Sequence, residues 1–332
     1  METRKVQVTG GSTYTVSLPK SWATENDVSS GSKVEFHAEG DLLLLTPQTE
    51  NGRTNGEMDI SDLSTESELR RAVMTMYVSG FDVITLTTER MTAEQRRTVR
   101  NATQGLVGLE VIEEMPNKMV LQDLLDSSEL SMENAVTRMR LVSLTMLEDA
   151  VEALVTDDQQ LAHDVMERDD DVDRLWYMTS RVFRSVLRNP TAANEVGFTR
   201  ETCFDLQSSA RQLERIADHA TKIAELGLEV GEIPESAAEP LSDLHTESAG
   251  VPDIAMDALL TEDADKAIEL ATNAREKADA IESHVREVDT EIHQFDPQLV
   301  QVLGLVVDSL SRTADYGTNI AESALQKAAP QP

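Results

Sequence analysis

A chain of 332 residues is long enough for two or three domains with cores of their own, yet 61 acidic against 29 basic residues leave it at a net charge of −32. The single cysteine, Cys203, excludes an intramolecular disulfide and a cysteine-built zinc site. No apolar run approaches the length of a membrane span or a secretory leader, so the expectation is a cytoplasmic protein that is not membrane-embedded.

The acids spread along nearly the whole chain rather than gathering in a tail. That pattern points to adaptation of the entire surface, as in a salt-accumulating halophile where screening tolerates self-repulsion. The alternative is an ordinary acidic protein. Only the N-terminus is locally basic, with Arg4, Lys5 and Lys20 against Glu2 over residues 1–24. Over residues 129–332 the count is 17 basic to 41 acidic.

Residues 4–18 alternate loosely as strands around a Gly10-Gly11 turn, and Pro19 opens a short helix through Trp22 and Ala23. Stretches 33–37 and 42–46 read as a hairpin around Gly40-Asp41. So small a set of short strands is marginal alone and calls for a partner copy. The run Gly11-Ser12-Thr13-Tyr14-Thr15-Val16-Ser17-Leu18-Pro19-Lys20, followed by Val28, Gly31, Lys33-Val34-Glu35-Phe36 and the Leu42–Leu45 strand, resembles the AbrB/SpoVT DNA-binding domain. The resemblance implies a swapped-hairpin homodimer over residues 1–48, with Arg4, Lys5 and Lys20 as phosphate or groove contacts on DNA and Ser12 and Thr13 nearby. Basic side chains suit that role because phosphate contacts dominate affinity. Such modules also serve as plain dimerisation units.

Residues 48–56 read as a polar linker. A small α/β unit over 57–126 follows. It has a strand at Met58–Ile60, a helix capped by Ser64 or Thr65, a strand at 82–86, a helix from Ala93, and a hairpin around Pro116-Asn117. It contains no Gly-rich phosphate loop, nucleophile motif or metal spacing, which points to interaction or ligand sensing rather than chemistry.

From residue 127 to the end the pattern is wholly helical, and it falls into two three-helix bundles, 127–230 and 236–328, joined across Gly231 to Pro240. The stretch Leu213-Glu214-Arg215-Ile216-Ala217-Asp218-His219-Ala220-Thr221-Lys222-Ile223-Ala224-Glu225 returns, altered, as Leu310 to Glu322 with no gap. Residues four apart share a helix face, so Glu214 and Asp218 project together, as do Asp169 and Asp173 on the preceding helix. Four like charges on one bundle surface invite a cation, and oxygen ligands suit Mg²⁺, Ca²⁺ or Mn²⁺, with bridged iron or zinc also open. The competing reading is a solvated acidic face.

This tandem resembles the PhoU family of phosphate-signalling regulators, which the repeated segment above carries most specifically. The resemblance implies metal clusters on E(D)-x-x-x-D pairs. Asp169 with Asp173 and Glu214 with Asp218 match that pattern in the first repeat. In the second repeat Asp289 and Asp315 remain, but their partners are Val285 and Ser311, so any metal is expected at the first bundle.

Fusion of the two modules resembles an archaeal phosphate-uptake regulator, mainly α overall. The expectation is a multidomain non-enzyme that senses phosphate status and acts on transcription. The alternative is an adaptor docking on a phosphate transporter subunit or a signalling kinase, with the N-terminal module only dimerising. A di-iron oxidase is disfavoured because none of the six histidines has Glu three residues before it.

Overall fold

The structure is a computed structural model that describes residues 3–39, 42–47, 53–125 and 131–330. The chain divides into two compact units, residues 1–53 and 54–332.

In the first unit β1 (Gln7–Thr9) pairs antiparallel with β2 (Thr13–Thr15), and β3 (Val34–Glu39) with β4 (Leu42–Pro47). Gly10 and Gly11 both take positive φ, which lets so tight a β1–β2 turn close. The helix α1 (Lys20–Glu25) follows Pro19 and buries no residue. Apolar side chains lie open throughout: Val6, Val8, Tyr14, Phe36, Leu42 and Leu43 are each more than half exposed. Two short hairpins with their apolar faces uncovered do not make a self-sufficient core. The expected Gly40-Asp41 turn and the linker through Gly52 lie outside the described residues.

The second unit opens with a four-stranded sheet in the order β5-β6-β8-β7. Its strands are β5 (Asn55–Asp59), β6 (Val83–Thr87), β7 (Leu109–Met115) and β8 (Lys118–Asp123). Only the β5–β6 pair is parallel, because α2 (Glu66–Val78) provides the crossover. The first strand begins three residues before the sequence placed it: Gly56, read as linker, is strand. A Cβ there would meet Met76 Cε at 2.5 Å and the Phe81 ring at 2.7 Å, so any larger residue would have to displace both side chains. Both α2 and α3 (Ala93–Gln104) start in capping boxes, Thr65 with Glu68 and Thr92 with Gln95. Tyr77, Leu69, Val73, Ile84, Leu86 and Leu121 form the core of this layer.

The rest is helical, and its boundaries follow the capping residues. Ser131 caps α4 (Met132–Thr156), Asp158 caps α5 (Gln159–Arg188) and Thr199 caps α7 (Arg200–Val230). Asp263 caps α9 (Ala264–Ile292) and Asp296 caps α10 (Pro297–Ala328). A short helix, α6 (Pro190–Val196), fills the break expected at Asn189-Pro190. The helix α8 (Glu235–Leu260) starts before Pro240 and carries both Pro240 and Pro252 inside it, where the sequence placed Pro240 in the connection.

The bundles α4-α5-α7 and α8-α9-α10 share one continuous apolar core. The repeated stretch packs alike in both copies: Leu213 and Leu310, Ala217 and Ala314, Ile223 and Ile320, Ala224 and Ala321 are all buried. Small residues let the helices close up. A Cβ on Gly317 of α10 would meet the Pro252 nitrogen of α8 at 2.5 Å, so the two positions interlock.

The α/β layer is fastened to α5 by a buried guanidinium. Arg181 donates from Nε to Asp123 Oδ2 and from Nη2 to Asp82 Oδ1, both at 2.8 Å. Its Nη1 donates to the carbonyls of Tyr77 at 2.9 Å and Phe81 at 3.0 Å. The group also lies 5.0 Å from the Tyr77 ring centroid. Breaking a buried, multiply bonded ion pair from one side strands the opposite charges. Arg181→Ala is therefore expected to cost about 3–5 kcal/mol, read as a lowered denaturant midpoint. Adding Asp82→Asn and Asp123→Asn should recover part of that loss, and an additive or worse triple variant would contradict the assignment.

Candidate metal centre

The two faces that carry the predicted carboxylates meet where α5 packs on α7. Asp169 and Asp173 lie one turn apart on α5, and Glu214 and Asp218 one turn apart on α7. Glu214 is buried at 8% exposure, Asp169 and Asp173 are half-buried, and Asp218 lies at the open edge. Glu214 Oε1 accepts from Arg211 Nη1 at 2.6 Å, and that guanidinium stacks 5.2 Å from the Trp176 ring. The second oxygen, Glu214 Oε2, is buried without a hydrogen-bond partner, as is the Thr221 hydroxyl one turn beyond Asp218. Asp173 Oδ2 accepts from the Tyr177 hydroxyl at 3.0 Å.

The electrostatics show that the four acids act on one another. Burial, then Asp218, pushes the Glu214 carboxyl up to about 7, against the pull of Arg211. Burial, then Asp173 and Asp218, pushes Asp169 up to about 6. Asp173 and Asp218 are raised as well, each by burial first. A cluster held this far from its ordinary ionisation range is one that a cation would relieve. The donors are all oxygen and one buried oxygen lacks a partner, so the set fits a hard cation. Among the described residues no three His, Cys, Asp or Glu side chains converge closely enough to enclose an ion. The surface is thus an open pair of carboxylate pairs, and ligation needs side-chain rotation.

The second bundle offers no counterpart. The Asp289 side chain is 53% exposed and sits 3.8 Å from His293 Nδ1, and Asp315 is exposed. The loss of their partners to Val285 and Ser311, visible in the sequence, leaves each isolated. The repeats do meet elsewhere. His219 and Tyr316, which are equivalent positions in the two copies, lie 3.2 Å apart from Nε2 to the hydroxyl. The equivalent helices α7 and α10 thus pack on one another at matching positions of the repeat.

Sequence reasoning missed the groups that link this surface to the α/β layer. Tyr177 packs against the core of that layer while its hydroxyl reaches Asp173. Arg70 of α2 approaches Asp170 at 3.3 Å. An arginine whose own helix offers no acid at i±3 or i±4, as at Arg181, was the available signal that partners would come from another element.

In the first unit Arg4 and Lys5 precede β1, Ser12 lies in the β1–β2 turn, Thr13 starts β2 and Lys20 starts α1. All five are exposed. Cys203 is a buried core residue whose thiol burial pushes up to about 11.

Both carboxylates with raised values are harder to ionise folded than unfolded. Their destabilising effect is absent below the ordinary values of 3.8 for Asp169 and 4.5 for Glu214, where they are protonated in both states. It develops as pH rises and is complete once pH passes the folded values of about 6 and about 7. Glu214→Gln should therefore raise the melting temperature above neutrality and leave it little changed in acid. Equal destabilisation at every pH would contradict this, and melting curves across the pH range decide it.

Comparison with known proteins agrees with this division. Residues 136–227 match the family described as PhoU domain, and residues 7–53 match the family described as antidote-toxin recognition MazE, bacterial antitoxin. The phosphate-specific transport system accessory protein PhoU homolog of Pseudomonas aeruginosa is 28% identical over 180 residues, covering 52% of this chain and 72% of that protein. The homolog of the same description from Pseudomonas putida is 28% identical over 180 residues, covering 52% of this chain and 68% of its own. The crystal structure of PhoU from Pseudomonas aeruginosa superposes with a TM-score of 0.51 at 24% identity, over 58% of this chain and 93% of that one, a likeness of fold. The helical part is PhoU-like, and the N-terminal module is MazE/AbrB-like.

Proposed function

We propose that this chain regulates phosphate uptake, with the PhoU-like bundles as a metal-binding sensor and the N-terminal module as a DNA-binding homodimer. The observation that carries the reading is the presence, in one chain, of a match to the PhoU domain and a match to a MazE-type module. The relatives that resemble the bundles are described as accessory proteins of phosphate-specific transport.

Dimerisation is supported by the open apolar side chains of the first unit, led by Tyr14 at 78% exposure. DNA contact falls to Arg4, Lys5 and Lys20, with Ser12 and Thr13 alongside. A net charge of −32 opposes approach to a polyanion. At about 1 M salt, however, the screening length is about 3 Å, and local basic contacts then outweigh the distant acids. We place the protein in such a salt-rich cytoplasm, that of a halophilic archaeon. Thermal melts in rising KCl test this, with a melting temperature that climbs steadily to molar salt as the expected result and a flat profile against it.

Metal binding at Asp169, Asp173, Glu214 and Asp218 would lift the mutual repulsion of the four acids. Those residues would act only as ligands, with Arg211 and Tyr177 holding the flanking oxygens. The candidate ions are Mg²⁺, Ca²⁺, Mn²⁺, iron or zinc. Tyr177 and Arg70 tie this surface to the α/β layer, so occupancy there can bias the layer's placement as a shift between states.

A second reading is favoured by the relatives' description as transport accessories: the chain docks on a phosphate transporter subunit or signalling kinase, and the N-terminal module only dimerises. Chromatin occupancy of the tagged protein in phosphate-rich and phosphate-starved cells separates the two. Peaks upstream of phosphate-uptake genes, lost when Arg4, Lys5 and Lys20 are changed to Ala while the protein stays dimeric, are the expected result. No enrichment in either condition would leave the adaptor.

A further inference from the structure

A cleft of about 570 Å³ opens where the C-terminal end of α5, the first turns of α7 and the C-terminal end of α10 converge. It lies apart from the carboxylates described above and shares none of their residues. Phe183, Leu187, Phe204, Ala329 and Pro330 give it an apolar wall, with the two phenylalanine rings 6.0 Å apart. Leu187 and Phe204 stand about half exposed, at 52% and 51%, although both are large and apolar.

Four charged residues, Arg200, Glu201, Asp205 and Lys327, share the lining, and Asp205 is the one whose charged group lacks a partner. Asp205 is 7% exposed, and among the described residues no hydrogen bond or ion pair reaches its carboxylate. Lys327 also lines the cleft, but its ammonium donates to the Leu259 carbonyl at 2.6 Å and so closes the C-terminal end of α8. Arg200 and Glu201, at the rim, each have other partners. Burial pushes the Asp205 carboxyl up to about 6, so the group is still mostly ionised at neutral pH. A buried carboxylate without a donor is costly unless something supplies one.

We propose that this cleft is a binding site for a small organic ammonium ion whose apolar body lies against Phe183, Leu187 and Phe204 and whose charged head donates to Asp205. The volume is that of a small-molecule pocket, and an unpartnered carboxylate beside an apolar wall fixes the orientation of what binds. A bare metal ion does not fit, because Asp205 beside a Glu201 that is engaged elsewhere cannot supply six or more oxygens. An anion is disfavoured by the unpartnered Asp205, because Lys327 and Arg200 are engaged elsewhere.

The test titrates the full chain with phenethylammonium and hexylammonium by calorimetry, at low salt and in molar KCl, against 2-phenylethanol as the neutral counterpart. A surface as acidic as this one attracts any cation at low salt, but that attraction is screened, whereas a desolvated pair persists. The expected result is saturable one-to-one binding of the amines that survives molar KCl. It should weaken roughly tenfold or more in Asp205→Asn, with the alcohol binding weakly and equally to both forms. Asp205→Asn removes a buried charge and keeps the shape, and its melting curve checks the fold. Phe204→Ala, at a half-exposed position, should weaken both amines too. Failure of either amine to saturate, loss of binding in molar KCl, or equal affinity in Asp205→Asn would overturn the proposal.

Discussion

The Arg181 guanidinium sets the geometry on which the carboxylate surface depends. Each of its three nitrogens donates to the α/β layer, two to carboxylates and one to a pair of carbonyls. An arginine fork with its donors filled in fixed directions defines an orientation as well as a distance. The layer cannot slide along α5 without unmaking several bonds in a place that water does not reach. One turn earlier on α5, Tyr177 is held by the layer's core and aims its hydroxyl at Asp173. The carboxylates on α5 are thereby set by two domains' worth of packing and not by one helix alone.

Within the bundles a duplicated helix has been put to two uses. In both copies the same register of leucine, alanine and isoleucine is buried, and Gly317 permits close crossing against Pro252. What differs is the polar face. The first copy keeps paired acids on adjoining helices, where burial and mutual repulsion raise all four. The second keeps lone acids that lie in solvent. Packing is kept between the copies because the core demands it, and the polar face was free to change.

Much of this was legible in the chain. Helix starts were visible because Thr65, Thr92, Ser131, Asp158, Thr199 and Asp296 satisfy the first amide groups through local chemistry, which sequence records directly. The tandem repeat gave the bundle count, and i, i+4 spacing brought the four acids to facing helices. The unread parts are those decided by distant partners. Pro240 looks like part of the connection, yet α8 begins before it and runs through it. Gly56 looks like linker, but it is strand because Met76 and Phe81 press on it. The run Met178 to Val182 is buried on every side, since the bundle covers one flank and the layer the other, and no single-helix periodicity expresses that. Asp205 gave no signal at all: its lack of a donor is a property of the cleft.

The contact between His219 and Tyr316 bears on how such a chain can arise and diverge. Two equivalent positions of the repeat face each other, so an unmodified duplicate would have set like against like. A histidine and a phenol make a complementary couple, one ring nitrogen accepting where the other group donates. Identical pairs would forgo that complementarity. Once the halves differ here, each is matched to its covalent neighbour better than to a second copy of itself. The seam therefore favours pairing of a first half with a second half over pairing of two like halves.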